Sequence, residues 1–103
     1  MRNERPIPPA AVRDDNAVEV LRVWIAEKKL HCSIKVGMYR DGMKLDEERA
    51  WGIILADVTR HICSALQASY GDDPKAVADK IKSSYLSELK QPTSGAQGDF
   101  LET

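Results

Sequence analysis

AVEVLRVWIAEKKLHCSIKVGMY, residues 17–39, is the stretch on which the fold turns. In its second half apolar residues alternate from Leu30 through Cys32, Ile34 and Val36 to Met38. Alternation of period two marks a half-buried strand, because successive strand side chains point to opposite faces. The first half, Ala17 to Glu27, is rich in β-branched and aromatic residues and predicts a second strand. A turn at Lys28-Lys29 joins the two as a hairpin. That register sets Ile25 opposite Cys32, Val23 opposite Ile34 and Leu21 opposite Val36, so one face is apolar throughout. A lysine pair suits a type I′ turn poorly, which leaves a slightly longer loop as the alternative.

The other face of this hairpin carries Val18, Val20, Arg22, Trp24, Lys35 and Tyr39. The register pairs Val18 with Tyr39, Trp24 with Ser33, and Arg22 with Lys35. Like charges directly opposite each other are unfavourable unless something else answers them. Two helices can cover only one face of a two-stranded sheet, so this second face is expected to meet a partner. The alternative is cover from Ile7 and Val12 of the N-terminal segment, or from Phe100 and Leu101 near the C-terminus.

Outward from the hairpin, LDEERAWGIILADVTRHICSALQASYG gives the strongest helical pattern. Asp46 is placed as N-cap, and Glu47 and Glu48 suit the positive end of a helix dipole. Trp51, Ile54, Leu55, Val58, Ile62, Ala65 and Leu66 share one face, with Trp51 expected as a core anchor. Gly71 is positioned to end the helix. Asp73 and Pro74 open a second helix, with Val77, Ala78, Ile81, Tyr85 and Leu89 as its stripe, and Pro92 ends it. The expected fold is α+β, in the order β-β-α-α, with the helices packed on one face of the hairpin. The sheet is expected to be extended or covered by dimerisation.

Composition sets the remaining bounds. The chain has 103 residues, is 43% hydrophobic and 30% charged, and carries a formal net charge of -1. That is one ordinary globular domain. Residues 17–91 form the α+β domain. The Pro-rich segment 1–16 and the Gly-containing segment 92–103 are expected to be a flexible arm and tail. The pI of about 6.1 argues against nucleic acid and an anionic membrane as partners. No run approaches a membrane span, and the N-terminal residues have no apolar signal core. Two cysteines without an export signal read as reduced thiols in a cytoplasm.

His31, Cys32, His61 and Cys63 would supply the types of a tetrahedral zinc set. Their placement disagrees. His31 and Cys32 point to opposite strand faces, and His61 and Cys63 lie about 200° apart around a helix. No metal site is expected. Cys63 instead closes a ridge of small residues with Gly52, Ala56 and Thr59, where a neighbouring element can approach closely. No catalytic constellation, nucleotide loop or metalloprotease motif occurs, so no catalytic or cofactor-binding residue and no cofactor are assigned.

The runs AVEVLRVWIAEKKLHCSIKVGMY, RAWGIILADVTRHI and SSYLSELKQPTSGAQGDF together resemble a bacterial family known only as a domain of unknown function. The resemblance spans most of the chain and implies a small stand-alone bacterial protein. It carries over no catalytic or ligand residue. The expected function is a non-enzymatic cytoplasmic interaction module acting as a homodimer. The alternative is single-stranded nucleic-acid binding, with Trp24 and Tyr39 stacking on bases and nearby lysines and Arg22 meeting phosphates.

Overall fold

A computed structural model describes residues 3–102. A short helix α1 (Pro9–Arg13) leads to strands β1 (Leu21–Ala26) and β2 (Lys29–Val36). A single π turn (Met38–Gly42) follows, then helices α2 (Glu47–Tyr70) and α3 (Pro74–Lys90). Two short strands, β3 (Ala96–Gln97) and β4 (Phe100–Glu102), close the order. The class is α+β, with the hairpin followed by two long helices.

The hairpin turn sits one residue earlier than expected. Glu27 and Lys28 both adopt left-handed φ values, 53° and 64°, as a two-residue I′ loop demands. The pairing is therefore Leu21 with Ile34, Val23 with Cys32 and Ile25 with Leu30, a shift of two residues from the expected register. A shift of two preserves the face of every side chain, so the apolar and mixed faces stand as read. It does change the neighbours. Trp24 lies opposite His31, not Ser33, and Arg22 lies opposite Ser33, not Lys35. The expected clash of two cations does not arise.

The C-terminal segment, expected to be loose, joins the sheet. β3 and β4 run parallel to β2, with Leu30 beside Ala96 and Ile34 beside Phe100. β2 is thus central, with β1 on one side and the tail strands on the other. Gly98 bridges the two short strands at φ 127°. A Cβ at that position would fall on the carbonyl oxygen of Cys32 and 3.0 Å from its carbonyl carbon. Only glycine lets the tail lie this close to β2. Glu88 fastens the approach: its carboxylate accepts from the Thr93 amide at 2.8 Å and the Thr93 hydroxyl at 2.6 Å. Those bonds, the hydroxyl's first, hold the Glu88 carboxyl below its ordinary range.

The helices follow their sequence signals. The Asp46 side chain accepts from the Arg49 amide, and Asp73 accepts from the Ala76 amide, each at 3.3 Å. Gly71 ends α2 in the left-handed conformation at φ 75°. Helix α3 lies back along α2. Leu66 of α2 lines a groove with Val77 and Ile81 at one end, and Gly52 and Ala56 line another with Tyr85 at the other. Of the small-residue ridge, Cys63 is buried and Thr59 half-buried, whereas Gly52 and Ala56 are exposed and a Cβ at Gly52 would meet nothing within 4 Å.

Little of this molecule is enclosed. Among the described residues only Cys63, at 4% exposure, and Glu47, at 8%, are buried. Val23 and Ile25 stay exposed, so nothing among the described residues covers the outer half of the apolar hairpin face. The radius of gyration is 15.6 Å. A compact chain of this length would measure about 13 Å. The accessible surface is 8971 Å² for an 11.5 kDa chain. Roughly 5,800 Å² is usual for a folded monomer of that mass.

Candidate functional site

The best-ordered polar arrangement is built on Glu47, in the first turn of α2. Gly37, at φ 95°, ends β2 and starts the π turn. That turn aims three backbone N–H groups inward. Gly37 donates to Glu47 Oε2 at 3.2 Å, while Tyr39 and Arg40 donate to Oε1 at 3.2 and 3.0 Å. The Trp51 indole N–H, one helical turn along, donates to Oε2 at 2.9 Å. Burial pushes the Glu47 carboxyl up, but the Arg40, Gly37, Trp51 and Tyr39 donors outweigh it and hold the group below its ordinary 4.5. Four donors fill the acceptor capacity of one carboxylate. This is a fastening between the sheet and α2, with no lone pair left over for a substrate.

Sequence reasoning assigned Glu47 only to the helix dipole. The residues it holds are seven to ten positions upstream, and no spacing rule connects an acid to the amides of a preceding turn. The same arrangement moves Tyr39. It was expected at the end of a long strand beside Val18, but the strand stops at Val36 and Tyr39 belongs to the turn. Trp51 is half-buried, held through its ring nitrogen and not enclosed as a core anchor.

The six hairpin residues expected to form an interface are dispersed. Val18 is exposed before β1, and the Val20 carbonyl accepts from the Lys35 amide at 3.0 Å, one pair beyond the ladder. Arg22 sits between Glu4 at 3.0 Å and Glu19 at 3.1 Å. The hydrogen bond to Glu19, then the charges, raise its pKa further. Glu4, Arg5, Pro6 and Ile7 line a cleft together with Arg22 and Trp24, so the arm runs beside this part of the hairpin. Trp24, Lys35 and Tyr39 are half-buried. His31 Nε2, across from Trp24, is enclosed without a hydrogen-bond partner.

Cys32 and Cys63 are free thiols, Cys63 buried and Cys32 half-buried. Among the described residues no three His, Cys, Asp or Glu side chains gather as a metal-ion site. Among the described residues no helix is long and apolar enough to cross a membrane. The remaining candidate surface is apolar. Leu55, Val58 and Ile62 on α2, Tyr85, Leu86 and Leu89 on α3, and Phe100 on β4 are all exposed.

Residues 4–93 match the family described as a domain of unknown function, DUF5076, in agreement with the resemblance read from the sequence. The chain is also similar to a solved structure described as "a putative pyruvate dehydrogenase from the photosynthetic bacterium Rhodopseudomonas palustrus CGA009". The TM-score is 0.69 over 94% of this chain and 93% of that one, at 23% sequence identity. At that identity the likeness concerns the fold alone. No curated protein matches the sequence.

Proposed function

This chain belongs to the DUF5076 family, and we propose on that footing that it is a non-enzymatic protein-interaction module that works as a symmetric homodimer. The observation that carries the reading is the accessible surface of 8971 Å². It exceeds the surface of a folded monomer by roughly 3,000 Å². An obligate dimer interface removes about 1,000 to 2,500 Å² from each copy, so one partner of the same kind answers most of the excess. The apolar faces of both the hairpin and the helices contribute to it. A two-fold arrangement uses one surface twice and closes on itself.

The buried, reduced Cys63 fits a reducing compartment, and a cytoplasmic location is part of the proposal. A nucleic-acid reading gains little from the geometry. Arg22 is already answered by two carboxylates, and Trp24 is packed against the hairpin and arm. The test is solution mass by light scattering across concentration. Twice 11.5 kDa is expected. A strictly monomeric chain at high micromolar concentration would overturn the reading.

A further inference from the structure

We infer that the dimer forms through α2, which packs antiparallel against α2 of a second copy with the two-fold axis beside Val58. This deepens the homodimer reading and rests on it. Trp51, Leu55, Val58, Ile62 and Ala65 are separated by alternating steps of four and three. That is the spacing of a helix–helix seam, in which side chains of one helix enter the gaps of another. In the single chain the middle of the seam is open: Leu55 is 38% exposed, Val58 46% and Ile62 42%.

No other charge interrupts this arc. Glu47 shares its angular position, but its carboxylate is turned back into the π turn. Asp57 and Arg60 lie on a different side of the helix and pair with each other. The open arc also continues onto α3, because Leu55 and Tyr85 border the same groove between the helices. Tyr85 and Leu89 are exposed beyond it. Two such helical hairpins face to face make a four-helix layer, with the α2 seam at its centre.

The direction follows from charge. Asp46, Glu47 and Glu48 crowd the start of α2, and its backbone dipole points the same way along its whole length. A parallel pair would bring both acidic starts and both dipoles together. An antiparallel pair puts them at opposite ends, and sets Leu55 of one copy against Ile62 of the other around a centre at Val58. The size is also sufficient. A standard interface needs about 800 Å² from each partner, well inside the roughly 3,000 Å² by which the chain exceeds a folded monomer. Trp24 and Val20, on the hairpin face expected to carry the contact, offer less because the chain already half-buries them.

The experiment compares wild type, Val58→Glu and Trp24→Glu by light scattering, with circular dichroism as a check on folding. Val58 is open in the single chain, so a glutamate there leaves the monomer fold in place. Two copies of that charge would meet across the axis, and dimer affinity should fall on the order of 100-fold or more. Trp24→Glu should keep the dimer. A monomeric wild type would sink the homodimer reading itself. A dimeric wild type with a dimeric Val58→Glu variant would overturn the seam while the reading stands. Should Val58→Glu not fold, a Cys32→Ser, Val58→Cys chain decides the matter under mild oxidation. The seam requires a disulfide-linked dimer from Val58→Cys and none from Arg60→Cys in the same background. Absence of that link in a dimeric protein would overturn it.

Discussion

The first turn of α2 and its middle, about three turns apart, differ in everything that surrounds them. At Glu47 one carboxylate satisfies four donors from a turn that the strand has just left, and the site is 8% exposed. At Val58 an apolar side chain on the same helix is left nearly half exposed to water. The first region is complete within one chain, because its polar groups would be costly to bury without partners and are given them. The second is incomplete, because apolar area carries no such directional demand and can wait for another surface. Local polar closure and global apolar closure are therefore separable in this fold, and the chain achieves only the first by itself.

On that contrast, the largest effect of any single change should come at Glu47. Glu47→Ala leaves four N–H groups without their acceptor and should lower the melting temperature more than any substitution below. The same site sets an acid limit. Its folded pKa lies below the ordinary 4.5, so its stabilisation is complete above that value and is lost as pH falls through the lowered one. Chemical denaturation between about pH 6 and about pH 3 should show this loss, and Glu47→Gln should flatten it. An unchanged acid profile in the Gln variant would reduce the fastening to an incidental contact.

Trp51→Ala tests the hinge between the two regions, since its ring nitrogen serves the first while its position opens the seam of the second. A loss of about 3 kcal/mol is expected in urea denaturation. Trp51→Phe, which keeps most of the ring, should cost less, and the difference reports the hydrogen bond to Glu47.

Gly98→Ala asks whether the tail belongs to the complete region or to the incomplete one. The new methyl collides with the Cys32 backbone, at a cost of roughly 1 to 3 kcal/mol if the tail stays docked. If it undocks, the Ile34 amide, which donates to the Asp99 carbonyl at 3.2 Å, should lose its protection from hydrogen exchange. No change in stability or exchange would show that the tail is not seated on β2. The smallest expected effect is a gain. Lys28→Gly removes a side chain from a left-handed turn position and should stabilise the hairpin by about 1 kcal/mol in the same denaturation assay.

The sequence was most legible where local chemistry decides. The caps at Asp46 and Asp73, the stop at Gly71 and the face of each hairpin residue follow from neighbours within a turn or from strict alternation. The turn was misplaced by one residue because Glu27 and Lys28 hold left-handed conformations that their side chains do not favour. The tail strands were missed because Gly98 and Asp99 split them, leaving two fragments too short for any periodicity. Glu47 as a fastening was out of reach, because backbone amides leave no mark in a sequence. The hairpin face was read as awaiting a partner, with cover by Ile7 of the arm as the alternative, and residues 3–8 do line a cleft with Arg22 and Trp24.

The docking of the tail also has a kinetic side. The hairpin and the helical pair are both closed by two or three residues, so each can form from near neighbours in the chain. The pairing of β2 with β3 and β4 instead joins residues 66 positions apart, from Leu30 with Ala96 to Val36 with Glu102. Among the described residues this is the strand pairing of high contact order, and its loop-closure entropy falls due before its few backbone bonds form. The sheet is thus expected to gain its third strand late, after both local hairpins exist. In stopped-flow experiments Gly98→Ala should accordingly speed unfolding and leave the refolding rate nearly unchanged.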